Sequence, residues 1–491
     1  MRFVCFFSAA AIILAAATGA TAEDVGPHQA TGIKIGEVTT TSAIIWTRLT
    51  QSATRVGPDA PVPEVKYKDA DTGELREETG PRATAVPIVT LPNGATVDTL
   101  EGAVPGAAGE VRVSHRAKDS DSWISTEWLP VDPNRDFTRH VTLTNLKPAT
   151  RYFLRVASRA VGGQQETSEV LGEFTTAPTA AEPASVTFTV VSCQEYNDRD
   201  ALTGFRMYPA MLKLKPAFMV HTGDILYYDN LAKTEDLARW HWERMYSLPT
   251  NVDFHRQVPA YFMKDDHDTW MNDCWPAMKS PFMGEFTFQQ GLGIFLEQVP
   301  MSEKTYRTFR WGKDLQIWMV EGRDYRTPND EPDGPGKTIW GAAQKAWFKK
   351  TVAESDATFR VLISPTPVVG PDRSAKNDNH ANAGFQYEGE EIRAFMAEQK
   401  NMVVACGDRH WQYVSVDPVT GLREYSCGAA SDAHAGGWPK DEKRSQHEYL
   451  NVIGGFLSIT VEREDDVPVL IARHHSVDGA VLNEDRVMLS K

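Results

Sequence analysis

The sequence predicts an α/β protein preceded by an all-β region, on three observations. Beyond residue 184, apolar strand-like runs alternate with helical stretches, which is the pattern of α/β organisation. Before residue 178, short strand-forming runs are punctuated by turn signals, as in all-β sandwiches. Between them lies APTAAEP, residues 177–183, whose Pro/Ala composition is that of a domain linker.

Taken in order, the chain opens on a targeting segment. MRFVCFFSAAAIILAAATGATA carries one cation, Arg2, then an apolar run, then Ala20-Thr21-Ala22, the A-x-A site of a secretory signal peptide. Residues 1–22 are therefore expected to be removed, leaving a secreted or periplasmic protein. The segment lacks an Arg-Arg pair, which points to the general export route. No later stretch offers the ~20 continuous apolar residues of a spanning helix. The formal charge of −15 disfavours nucleic acid as a stable partner. With 41% hydrophobic and 24% charged residues in 491, composition is ordinarily globular and the core ample.

The all-β region, 28–178, begins with strand formers in GIKIGEVTTTSAIIWTR, residues 32–48. FTRHVTLTNLKPATRYFLRVAS, 137–158, reads strand, turn at Asn145 to Ala149, strand. Its Leu-Lys-Pro-Ala-Thr-Arg-Tyr run resembles the turn before a late strand in fibronectin type III or immunoglobulin-like domains, with Tyr152 at the corner. Residues 51–130 exceed what such a domain needs and are expected to hold an insertion. This half contains no candidate catalytic cluster.

The second region, 184–485, reads as strands at SVTFTVVSC, KPAFMV, QVPAYFM, DLQIWMV, FRVLISP and NMVVAC. Helical periodicity marks LARWHWERMYSL, AAQKAWFKKTVAE and EEIRAFMAEQK. The tail reads as a hairpin turning at Glu464 to Val467. Four cysteines follow the signal. In an oxidising compartment they allow two bridges, with Cys406 and Cys427, flanking an apparent hairpin, as the candidate pair and Cys193 kept free.

The chemistry gathers after strands. Cys193, Asp224, Asp266 and the pair Asp408/His410 each follow an apolar run, with Tyr227 three residues beyond Asp224. Strand ends converging on one rim are a site geometry in α/β sheets. Carboxylates suit hard cations, whereas thiolate and phenolate suit a transition metal such as ferric iron. A mixed set therefore points to more than one kind of metal, able to polarise a phosphoryl group and activate water.

Gly223-Asp224-x-x-Tyr227-x-Asp229 resembles the motif of calcineurin-like metallophosphoesterases, purple acid phosphatases included. Ser192-Cys193-Gln194, Asp265-Asp266-His267-Asp268 and Gly407-Asp408-Arg409-His410 are similar to the corresponding blocks of one branch, the PhoD-type alkaline phosphatases. The resemblance implies a metallophosphoesterase-type β-sandwich flanked by helices. It implies iron on Cys193, Asp224 and Tyr227, and one or two calcium ions among Asp224, Asp266, Asp408 and His410. It places His267 beside the metals, donating to a phosphoryl oxygen or the leaving group. Asp268 stands where the branch has glutamate, as a shortened partner of His267. The middle histidine of the wider superfamily has two candidates, His380 and Asp378.

Arg323 and Arg326 follow a strand on the same rim. Arg323 is the candidate for gripping the phosphate bidentately, against a plain ion pair with Asp324 or Glu321. His434, in ASDAHAGGW, reads as part of a surface loop, with closure over substrate as the alternative. The reading is a secreted, metal-dependent hydrolase of small phosphate esters, a phosphomonoesterase using metal-activated water. A phosphodiesterase acting on phospholipid, teichoic acid or nucleotide diesters is the nearest alternative. A non-catalytic binding protein with a degenerate phosphoesterase domain is a different class, distinguished by failure to bind metal. A serine esterase is disfavoured because no G-x-S-x-G elbow occurs.

Overall fold

The computed structural model describes residues 26–77 and 79–489, so the expected signal peptide, 1–22, lies outside the described residues. Two large sheets face each other. The first has nine strands in the order Val481–Met488, Val467–His475, Phe456–Glu464, Val186–Val191, Phe218–His221, Ala260–Phe262, Ile33–Gly36, Ala43–Arg48 and Thr138–Leu143. Val186–Val191, Phe218–His221 and Ala260–Phe262 run parallel. Parallel neighbours need long crossovers, supplied here by helices Met207–Leu214, Glu235–Tyr246 and Pro249–His255. The LARWHWERMY periodicity is the second of these helices, opened by Thr234, whose hydroxyl accepts the Leu237 N–H.

The second sheet has seven strands, with Leu315–Met319, Phe359–Ser364, Met402–Cys406 and Arg423–Cys427 parallel in that order. Helices Gly341–Ala353 and Gln386–Ala397 make two of its crossovers. Phe188, Val190, Phe218 and Val220 of the first sheet share one buried core with Ile317, Met319, Val361, Ile363 and Val403 of the second. The result is a mixed α/β fold of two packed sheets with helices outside. The tail is the expected hairpin. Phe456–Glu464 pairs with Val467–His475 through Glu464↔Val467, and Asp465 and Asp466 turn with φ of 48° and 65°, as two-residue hairpin loops require.

The amino-terminal part is all-β over its described strands. Glu166–Thr175, Arg151–Arg159, Glu110–Ala117 and Ile124–Ser125 form a sheet whose Val113, Leu154 and Val156 pack with Ile33 and Ile35. Tyr152 sits at the corner, its hydroxyl accepting the Lys147 N–H at 2.8 Å. The linker does not divide the sheets, however. Ile33–Gly36 pairs in parallel with the catalytic-side strand through Gly36↔Ala260, so the nine-stranded sheet crosses the boundary. A Cβ on Gly36 would fall 2.2 Å from the Pro300 carbonyl oxygen, so only glycine permits this approach. The expected insertion holds a small sheet of its own, Leu75–Arg76, Glu64–Asp69 and Ala85–Thr90.

The expected Cys406–Cys427 bridge is absent: all four cysteines of the described residues are free and buried. The strands carrying them are parallel neighbours, and Cys406 pairs with Ser426. Side chains alternate along a strand, so Cys427 faces the inter-sheet core while Cys406 packs with Trp411, Tyr413 and Trp438 on the other side.

Candidate metal centre

Four chain reversals build the site. Three follow the parallel neighbours of the first sheet, giving Ser192-Cys193, Gly223-Asp224 and the run Asp265 to His267. The fourth, Gly407 to His410, follows Met402–Cys406 of the second sheet. The Asp408 N–H donates to Ser192 Oγ at 3.2 Å, which ties the two sheets together at this rim. Cys193, Asp224 and Asp408 have φ of 53°, 52° and 61°. Non-glycine residues rarely adopt this left-handed conformation, and it concentrates at functional sites. Here it turns the chain sharply as the strand ends and aims each side chain across the rim. Glycines make room for the turns: a Cβ on Gly407 would lie 2.2 Å from Thr222 Oγ1, and one on Gly223 2.6 Å from the Asp265 nitrogen.

Asp224 is the hub. Ligand atoms of Cys193, Asp224 and His410 lie within 4.8 Å of one another, as do those of Asp224, Asp266 and His267, and those of Asp224, Asp265 and Asp408. Asp224 is 1% exposed and its Oδ1 has no hydrogen-bond partner among the described residues, while Oδ2 faces Cys193 Sγ at 3.6 Å. The Tyr227 hydroxyl lies 3.4 Å from His410 Nε2.

Burial, then the charge of Asp266, pushes the Asp224 carboxyl well above its ordinary range. Burial, then Asp224, does the same to the Cys193 thiol, and burial raises Tyr227 with Cys193 and Asp224 adding to it. These acidic groups repel one another's ionisation in a dry pocket. A cation reverses that logic, since thiolate, phenolate and carboxylate ligands then become the favoured forms. Burial holds His410 neutral, the form that binds metal. The residues present thus fit a cation centre with a side suited to a transition metal, Cys193 and Tyr227, and a carboxylate side suited to a hard cation.

Comparison with known proteins agrees with this geometry. The family model for PhoD-like phosphatase matches residues 188–426, and that for the PhoD-like phosphatase N-terminal domain matches 15–178. The chain belongs to the PhoD-like phosphatases. It is 23% identical over 332 residues to alkaline phosphatase D of Bacillus subtilis strain 168, across 58% of this chain and 55% of that one. The match thus spans about half the length of that curated relative. A solved structure of PhoD superposes with a TM-score of 0.68 at 17% identity, covering 94% of this chain and 89% of the other. Purple acid phosphatase PPD1 from yellow lupin gives 0.56 at 12% identity, covering 93% and 74%. These two likenesses establish a shared fold.

Around the PhoD-like centre several expected roles change hands. His267 is partnered by Asp229, whose Oδ1 lies 2.8 Å from Nδ1. Asp268 instead accepts the Ile225 and Asp265 N–H groups at 3.1 and 2.6 Å, clamping two site loops together. Arg323 does not reach solvent. It is 0% exposed, with Nε 2.5 Å from Asp265 Oδ1 and a terminal nitrogen 3.6 Å from Asp266 Oδ1. It is a buried counter-charge to these carboxylates, with both terminal nitrogens lacking a hydrogen-bond partner among the described residues, and it helps hold Asp266 below its ordinary range, where burial alone would raise it. Arg326 is likewise buried, donating to the Asp378 carbonyl.

The two middle candidates separate. His380 pairs with Glu388 at 2.9 Å against Trp340, away from the metal-competent groups, whereas Asp378 lies 3.8 Å from Arg323. His434 enters the site: its Nε2 is 2.7 Å from the Tyr227 hydroxyl and its Nδ1 2.8 Å from Asp198 Oδ2. The small residues around it, which let the loop fold inward, were its only trace in the sequence.

Proposed function

We propose that the protein is a secreted, metal-dependent hydrolase of phosphate monoesters. The observation that carries this reading is the Asp224 carboxylate, unpartnered at Oδ1 and common to three metal-competent groups at strand ends of both sheets. Cys193, Asp224, Tyr227 and His410 would hold the softer ion, iron, and Asp224, Asp266 and Asp408 the harder one, calcium. When bound, such ions supply Lewis acidity toward a phosphoryl oxygen and toward water.

The chain's own residues supply the rest. Asp229 takes up Nδ1 of His267, which leaves Nε2 to hold a proton for the departing ester oxygen. In the metal-free protein burial opposes a charged His267, but Asp229, Asp266 and Asp224 outweigh it; with cations on Asp224 and Asp266, Asp229 is the carboxylate left to support the proton on the ring. Arg323 balances the carboxylates, which keeps them compact without blocking the rim. Residues 1–22 would direct export, 28–178 would form the amino-terminal β domain, and 184–485 the catalytic unit. No helix among the described residues is long and apolar enough to cross a membrane.

The test is nitrophenol release from an aryl phosphate monoester and its matching diester, after loading with iron and calcium and with a chelator control. Faster monoester turnover, abolished by chelation, supports the proposal. Faster diester turnover moves it to a phosphodiesterase, and turnover insensitive to chelation overturns it.

A further inference from the structure

The small sheet in the amino-terminal half reaches the site. Arg82 lies in the connection between Leu75–Arg76 and Ala85–Thr90. Its guanidinium is 3.2 Å from Asp229 Oδ2, and the other oxygen of the same carboxylate is the one that meets His267. The guanidinium rests over the Phe282 ring at 4.8 Å, and the Arg82 carbonyl accepts a hydrogen bond from Ser280 Oγ. Tyr67, from the Glu64–Asp69 strand, stacks on the same Phe282 ring at 5.4 Å. The contact is therefore seated by packing on both sides.

An exposed ion pair usually contributes little, and the Arg82 side chain is 42% exposed. Its partner is different in kind: Asp229 is 2% exposed and already committed through Oδ1. Besides Arg82, Oδ2 receives only the Asn272 N–H, at 3.3 Å, among the described residues. Without Arg82 that oxygen would keep only the long Asn272 contact, and the carboxylate could turn about its Cβ–Cγ bond and take the imidazole with it.

We propose that Arg82 is a positioning residue of the reaction, holding Asp229 so that His267 Nε2 faces the departing oxygen. The inference rests on the hydrolase reading above. In the step concerned, the bond from phosphorus to the ester oxygen breaks and its electron pair goes to that oxygen. The oxygen takes the proton from His267 Nε2. Water's oxygen bonds phosphorus and gives its proton to solvent, and Nε2 is reprotonated from solvent. An amino-terminal segment with no catalytic signal would thus complete the catalytic unit.

The experiment uses the full metal-loaded chain with an alkyl and an aryl phosphate monoester. An alkoxide needs the proton far more than a nitrophenolate does. Arg82→Ala should lower kcat on the alkyl ester about tenfold or more, the scale of lost outer-sphere orientation, and on the aryl ester by much less. Arg82→Lys, which keeps the charge, should recover part of the alkyl rate. Combined with His267→Gln, Arg82→Ala should add nothing further, since both act through one group. Equal losses on both esters, or additive losses in the double variant, overturn the inference while leaving the hydrolase reading intact. A wild-type chain that cleaves neither ester overturns that reading first and this one with it. Should Arg82→Ala fail to fold, Arg82→Lys and Arg82→Met carry the same comparison.

Discussion

Two buried His–carboxylate pairs in this molecule look alike and do different things. His267 meets Asp229 at 2.8 Å, and His380 meets Glu388 at 2.9 Å. The His267 side chain keeps 15% of its surface exposed and its ring lies on Tyr227, with Asp224 and Asp266 close by. The His380 side chain is 0% exposed, and its carboxylate is further engaged by the Ile339 N–H at 2.6 Å. Burial disfavours the charged ring in both. At His267 three carboxylates outweigh burial, whereas at His380 burial outweighs Glu388 and the imidazole is held neutral. A paired histidine thus marks structure as readily as chemistry. What separates the two is a surplus of carboxylates around a partly exposed ring.

The sharpest way to break the comparison is to remove that surplus. Asp224→Asn should lower kcat/KM about 10³-fold or more, since metal stabilisation of the transition state amounts to several kcal/mol. In the metal-free protein the same change removes a buried carboxyl whose ionisation burial and Asp266 oppose. The melting temperature without metal should therefore hold or rise while activity collapses. A parallel fall in both would mean that Asp224 is structural. Next in size is the exchange of roles between the histidines. His267→Gln should cost 10²–10⁴-fold, roughly the value of a positioned acid, with little change in melting temperature. His380→Gln should do the reverse, destabilising by about 1–3 kcal/mol and leaving kcat within a few-fold. Similar kinetics for the two variants would dissolve the distinction.

Much of this was legible from sequence because it is local. Cys193, Asp224, Asp266 and Asp408 each terminate an apolar strand, and strand ends in α/β sheets share a rim. The elements alternate strongly enough that the α/β region and the helices Glu235–Tyr246, Gly341–Ala353 and Gln386–Ala397 could be read directly, whereas the short crossover helix Pro249–His255 could not. Contacts made across the fold were not legible. Arg82 reaches the site from a loop whose composition records only that it is a loop, and His434 from a Gly-rich one for which closure over substrate is the second reading and a plain surface loop the first. Asp229 was visible within a motif, but which ring nitrogen it meets depends on a rotation no spacing encodes. Arg323 was placed at the right strand end, but its partners Asp265 and Asp266 come from another strand end, and no spacing in the sequence records that pairing. His380 and Asp378 could not be told apart as candidates for the middle histidine by sequence, because the partner that occupies His380, Glu388, lies eight residues on at a helix start and is itself an ordinary helix residue.

A pH measurement sharpens the structural half of the comparison. Burial pushes the Glu388 carboxyl up, but hydrogen bonds from His380, Thr338 and the Ile339 N–H bring it down to about 2. An unfolded glutamate titrates near about 4.3. The folded value is the lower one, so the stabilisation is fully present above that point and lost as pH falls toward about 2. Glu388→Gln should lower stability at neutral pH and flatten the acid limb between those two values, measured by denaturant melts across pH. An unchanged acid limb would show that Glu388 is not held ionised by its partners.

The smallest expected effect extends the comparison to sulfur. Cys193 sits at the metal-competent rim, while Cys406 and Cys427 lie on opposite faces of neighbouring strands as small apolar fillers. A bridge between them would contribute about 2–4 kcal/mol, so adding reductant would lower the melting temperature by several degrees. With free thiols the shift should be under about 1 °C, and a thiol reagent should react with these two cysteines only after unfolding, since burial raises both groups above their ordinary range. A reductant-dependent drop of several degrees would mean that the Met402–Cys406 and Arg423–Cys427 strands can twist far enough to bring Cys427 around. That would also move the Gly407 turn and with it Asp408, so the sulfur measurement bears on the geometry of the metal rim itself.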